Sequence, residues 1–228
     1  IGGVVNFITL RGGEGPLGGS VSYSHDSAND GIGRSLNVFG SYGSYSSVDA
    51  PTDRTFSYRL SATDQDNDLR KTTAGKLDNT RSDNDSLSLY LGLEADADNR
   101  LALSYDNFHS SSEVYVEDQV RFAPPFVDFR IAAPRRDREK LGIFYEQLLL
   151  GDSLQKMQFN AYRQRSDREF NTFPSTLLPP PLALRTDAEI FTRSELITDG
   201  ALAQFDWQPA SQHYLIAGLQ YNRDQVDQ

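Results

Sequence analysis

Apolar and polar positions alternate with a period of two along most of the chain. Phe56, Tyr58, Leu60 and Ala62 interleave with Ser57, Arg59, Ser61 and Thr63. Leu87, Leu89, Leu91 and Leu93 interleave with Ser88, Tyr90, Gly92 and Glu94, and Leu101, Leu103 and Tyr105 with Ala102, Ser104 and Asp106. The rhythm returns at Met157–Ala161, Ala201–Trp207 and Leu215–Tyr221. Successive strand residues point to opposite faces, so each run predicts a strand with one apolar and one mostly polar face. Val21 with Tyr23, and Leu36 with Val38, predict two earlier strands by a weaker signal. The segment "LGIFYEQLLL", Leu141 to Leu150, is apolar on both faces. It reads as a strand with a bulge, because a short helix there would lack caps. The pattern predicts roughly nine strands after an opening stretch, "IGGVVNFITLRGG", that is nearly uncharged and led by glycines.

The predicted connections alternate in length. Short ones fall at "DADN" (Asp96–Asn99), "GDS" (Gly151–Ser153) and "QPASQ" (Gln208–Gln212). Long ones fall at Leu69–Arg81, Glu113–Arg136 and Glu169–Ile190. An up-and-down sheet with one trimmed and one elaborated rim gives this order, as transmembrane barrels with short inner turns and long outer loops do. A soluble sandwich has no reason to sort its loops so. "SYSSVDAPTD", Ser44–Asp53, falls on the short rim although it is long.

Composition narrows the classes. Mean hydropathy is −0.53, and no apolar run is long enough for a transmembrane helix. A barrel is compatible with that value, because half of each strand faces a polar lumen. Among 228 residues, 32 are acidic against 22 basic, which argues against a nucleic-acid binder. The abundance of Phe and Tyr argues against disorder. With no Cys, a disulfide framework and thiolate sites are excluded. No Gly-x-Ser-x-Gly elbow, HExxH or P-loop is present, so the chain is not expected to be an enzyme. It opens without Met or leader and ends just past a strand at "NRDQVDQ". The expectation is a piece of a longer protein, its strands part of a larger barrel; closure of these strands alone is the alternative.

The opening stretch carries a resemblance. Gly2, Gly3, Val4, Val5, Asn6, Ile8 and Thr9 match the "IGGVVN-I-T" strand that ends the plug domain of TonB-dependent outer-membrane receptors. "PRRDREKLGIFYEQL" (Pro134–Leu148) and "AYRQRSDREF" (Ala161–Phe170) look like barrel segments of the haem/haemoglobin branch of that family. The resemblance implies an all-β chain: the end of a plug over residues 1–11, a linker over 12–19, and the first part of an antiparallel transmembrane β-barrel over 20–228. It implies uptake of a scarce nutrient across the bacterial outer membrane, with iron as haem or siderophore as the leading ligand and cobalamin as the alternative. The implied partners are the TonB complex, reached through a region absent from this sequence, and outer-membrane lipid and lipopolysaccharide. A passive porin or structural barrel is the rival reading.

Candidate site residues follow from chemistry at the long-loop rim. His25 and His109 fall near that rim and His213 near the other; imidazole ligates haem iron. Phe122, Pro124, Pro125, Phe126 and Phe129 make an aromatic loop suited to a flat ligand, and "FPSTLLPPPLAL" (Phe173–Leu184) reads the same way. Asp64, Asp66 and Asp68, with Asp78, Asp83 and Asp85, flank the first long loop. They are candidate oxygen ligands for Ca²⁺ in an extracellular loop, although EF-hand spacing is absent. Arg135, Arg136, Arg138 and Lys140 are candidates for lipopolysaccharide phosphates, with Asp137 and Glu139 as competing partners. Tyr23, Tyr42, Tyr105, Trp207 and Tyr221 are candidates for an interfacial aromatic girdle.

Overall fold

A computed structural model describes residues 15–43, 54–178, 181 and 184–228. The plug-strand motif Gly2, Gly3, Val4, Val5 and Asn6, the segment Ser44–Asp53 and part of the "LLPPPLA" run lie outside the described residues.

The chain is an all-β meander. Its strands are β1 (Gly18–Asp26), β2 (Gly31–Gly43), β3 (Thr55–Asn67), β4 (Lys71–Thr72), β5 (Gly75–Lys76), β6 (Ser82–Glu94), β7 (Asn99–Val114), β8 (Phe126–Leu148), β9 (Leu154–Leu177), β10 (Arg185–Asp187), β11 (Ile190–Ala210) and β12 (His213–Asp227). One helical turn, α1 (Asp118–Arg121), interrupts them. The main antiparallel sheet runs β1-β2-β3-β6-β7-β8-β9-β11-β12, with β10 added beside β9 and β4-β5 a separate hairpin. Every long strand pairs only with its neighbours in the sequence. The sheet is open: β1 and β12 do not pair with each other.

The predicted strands are present, and the connections after β6, β8 and β11 are short as expected; the turn from Asp26 to Gly31 is short as well, on the rim expected to be long. The turn after β6 closes through Ala95 N–H donating to Asn99 O at 2.9 Å. Asp96 Oδ1 accepts there from the N–H groups of Asp98 (2.9 Å) and Asn99 (2.7 Å), the local side-chain turn that Asp favours. Gly151, at φ +154°, turns the chain between β8 and β9. The last short turn is tighter than predicted, since β11 runs to Ala210 and β12 starts at His213.

Four expectations are corrected. Glu113–Arg136 and Glu169–Ile190 are not long loops but mostly strand: β8 has 23 residues, β9 has 24 and β11 has 21. The strands accommodate two prolines, Pro134 at a register shift between Ala132 and Arg135 and Pro174 opposite Phe129. The bulge expected within Leu141–Leu150 is absent, because pairing with both neighbours is continuous from Arg138 to Gln147. Lastly, the first strand begins at Gly18, two residues before the expected start at Ser20.

No hydrophobic core exists among the described residues. Among these residues only Ala102 and Ala133 are buried and apolar, and none of the large side chains described is fully buried. Soluble domains bury such residues between layers. Here one layer carries them on an open face.

Candidate functional site

The register turns the alternation into a map of two faces. Tyr58, Leu91, Leu103, Ile143, Ala161, Ala201 and Tyr221 sit side by side on seven consecutive strands of the sheet. A second row runs Phe56, Leu93, Leu101, Tyr145, Phe159, Ala203 and Leu219. The opposite face carries Ser61, Ser88, Asp106, Lys140, Gln164, Thr198 and Asp224 in one row. Side chains bond along it: Ser88 Oγ donates to Asp106 Oδ1 at 2.8 Å and Ser61 Oγ to Asn37 Oδ1 at 2.6 Å.

The apolar band is oblique to the strands. Its upper edge lies at Leu87 on β6 and Tyr105 on β7, but has dropped to Ala161 on β9 and Tyr221 on β12, where the next positions up are Arg163 and Arg223. Its lower edge drops likewise, from Phe56 on β3 to Trp207 and Leu215 on β11 and β12. The five girdle candidates all stand on this face at its edges. Tyr23, Tyr105 and Tyr221 are on the upper side, and Tyr42 and Trp207 on the lower.

Above the band, on the same face, lies an ionic belt: Asp64, Asp85, His109, Asp137, Asp167, Glu195 and Asp227 are successive cross-strand neighbours. Like charges directly opposite repel. Cations offset part of this: Arg34 bonds Asp64 at 3.0 Å, Arg135 bonds Asp137, and Arg165 bridges Asp167 at 3.2 Å and Glu195 at 3.0 Å. His109 belongs to this belt, with Nδ1 held on Asp137 Oδ1. His25, opposite Ile32, is also on the apolar-band side. Neither histidine faces the polar side, and the two are separated by β2, β3 and β6.

The remaining candidates divide in the same way. Phe122 follows α1, its ring under the Arg121 guanidinium at 5.1 Å, whereas Phe126 begins β8 and meets Phe129 at 5.2 Å. Asp64 and Asp66 project from β3 on one face and Asp68 lies just beyond it. Among the described residues no three His, Asp or Glu side chains gather as a metal-ligand set. Alternation splits "RRDREK". Arg135 joins the ionic belt's side, whereas Arg136, Arg138 and Lys140 face the polar side. Arg168, Phe108, Phe170, Tyr162 and Gly200, which sequence reasoning did not single out, join them there.

The first long loop is tied to the preceding turn. Asp68 N–H donates to Asn29 O at 2.9 Å, Lys71 Nζ bonds Asp30, and Lys76 Nζ reaches Asp30 and Asp68 at 3.8 and 3.5 Å. The Leu69 N–H, followed by the Arg81 guanidinium at 2.9 Å, lowers the Asp68 pKa to about 2. The bonded form is the carboxylate. These contacts are therefore complete above the ordinary carboxylate pKa of ~3.9 and are lost as pH falls through the lower, folded value. Amide exchange should show loop 69–81 opening faster in Asp68→Asn than in the unaltered protein at neutral pH, with the difference closing as pH falls through about 2. No difference at neutral pH would contradict the tie.

No family model, no curated protein and no solved structure matches this chain.

Proposed function

We propose that the sheet is part of a transmembrane β-barrel of the bacterial outer membrane, with the apolar band against lipid and the polar face lining the lumen. The oblique band carries this reading. Barrel strands tilt by roughly 35–45°, so a level membrane slab must cross them diagonally. In lipid an open sheet edge is untenable, so the edges at β1 and β12 call for further pairing. Tyr and Trp at the band's margins suit the headgroup level. Strands as long as β8 and β9 exceed the ~9–11 residues needed to cross, which leaves their upper halves outside the membrane.

The function we propose is TonB-dependent uptake of a scarce nutrient, iron as haem or siderophore, with cobalamin as the alternative cargo. The support is the resemblance of Gly2–Asn6 and the following residues to the closing plug strand. With His25 and His109 on the lipid side, this part of the wall offers charge rather than imidazole to a cargo. Growth of a deletion strain on haem, a ferric siderophore or cobalamin as the limiting source tests it. A defect on one source is expected, with uptake restored by the intact gene and that restored uptake abolished when the proton-motive force is collapsed. Normal growth on all three sources would dismiss the uptake reading. Uptake that survives collapse would favour a passive porin.

A further inference from the structure

We propose that Arg136, Arg138 and Arg168 form an anion-binding site on the polar face, suited to a ligand with two or more carboxylate or phosphate groups beside a flat apolar body. Arg136 and Arg168 are direct cross-strand partners on β8 and β9, and Arg138 lies two residues along β8. Directly opposed strand residues have Cβ atoms about 4.5–5.5 Å apart, so the two guanidinium stems share one place and repel. None of the three arginine side chains has an ion pair or hydrogen bond among the described residues.

Shortage of acid is not the reason. The chain has ten more acidic than basic residues (32 against 22). On the other face of the same two strands Arg135, Arg163 and Arg165 are all paired with Asp or Glu. The nearest carboxylates are engaged elsewhere: Asp137 holds His109 and Arg135, and Glu169 accepts from Asn171 at 3.0 Å. Lys140, next along β8, lies over the Tyr162 ring at 4.8 Å. A repulsive, unpaired trio kept amid surplus acid is arranged for an anion from outside the chain. Guanidinium forks match carboxylate and phosphate oxygens bidentately.

The surroundings specify more than charge. The three arginines line one depression of about 600 Å³ with Phe108, Phe170, Ser166 and Ala133, and Asp137 and Glu169, both bonded to other side chains, border it. Phe108 is the cross-strand neighbour of Arg138, and Phe170 lies one step above Arg168 on the same face. Buried Ser166 and Ala133 form the floor. Aromatic walls beside a cationic centre favour a flat polyanion over an inorganic one.

The inference rests on the barrel reading only in that the polar face meets water, and it holds for active and passive barrels alike. The test is calorimetric titration of the protein in detergent with trimesate (a planar tricarboxylate), citrate and inorganic pyrophosphate. Trimesate is expected to bind most tightly. Arg136→Gln with Arg168→Gln should weaken it at least tenfold, and Phe108→Ala should weaken trimesate but not citrate. Removing the repelling pair should leave the melting temperature unchanged or higher. The charge-preserving Arg168→Lys should retain part of the binding, which separates loss of the site from loss of the fold. Arg70→Gln, an exposed cation in the first long loop, should change nothing. Absence of binding by all three anions, or equal binding by the double variant, would overturn the proposal. So would binding of lipid A micelles alone, which would assign the cluster to a lipid phosphate. Because the readout is equilibrium binding, its failure strikes the site alone. Failed uptake in cells with trimesate binding intact strikes the transport reading alone.

Discussion

Leu103→Arg is expected to destabilise the folded protein in lipid bilayers by about 2–4 kcal/mol, the cost of a cation at the midplane of a barrel's lipid face. Leu103 is central to the apolar band, with Leu91 and Ile143 as its cross-strand neighbours. It is already 40% exposed, so in water an arginine there would remain hydrated and cost little. The size of the effect therefore depends on what touches this face. Gln220→Arg, on the polar face of β12, should stay within about 0.5 kcal/mol in the same bilayers, as surface changes do. Urea unfolding in vesicles of dilauroylphosphatidylcholine would measure both. Equal small effects would remove lipid from the apolar face, and with it the barrel.

Gly200→Val is the second large effect, expected to cost about 1–3 kcal/mol through overpacking. Tyr162 on β9 has Gly142 on one side and Gly200 on the other in the register. Its ring lies across Gly200, where any added Cβ would meet ring carbons and the phenolic oxygen. The glycine gives the ring its seat, as aromatic rings do over glycines in paired strands. A valine must push the ring away, and the ring's contact with Lys140 goes with it. Tyr162→Ala made in the Gly200→Val background should recover much of the loss. Additive effects of the two changes would mean that the ring and the glycine are not coupled.

Much of the meander was legible from period-two alternation because each strand's two faces meet different media. Leu87–Leu93 and Leu101–Tyr105 could be placed on one face without coordinates. The upper halves of β8 and β9 were not legible. Just beyond the apolar band no apolar–polar alternation marks the faces there, since Arg136 and Ser166 on one face neighbour Asp137 and Asp167 on the other. Pro134 sits in the register shift between Ala132 and Arg135, and Pro174 pairs with Phe129 on β8. That lost stretch contains the arginine cluster. The signal was present in the period: Arg136, Arg138 and Lys140 fall on alternate positions and must share a face once the strand is continued upstream. The facing of His25 and His109 could likewise be counted from Tyr23 and Tyr105. Arg168 could not be joined to Arg136 without the pairing register.

The neighbour-only strand order has a kinetic consequence. Each long strand docks on the edge made immediately before it, so contacts stay local in sequence and the order of synthesis can be the order of pairing. Closing each hairpin costs little more entropy for a long loop than for a short one, roughly 0.6 kcal/mol per doubling of length. The tie of the first turn crosses this order. The turn between β1 and β2 receives its hydrogen bonds to Asp68 and Lys71 only after β3 has been laid down. The wall can thus grow by one hairpin at a time, its first turn finished by a loop that arrives after the third strand.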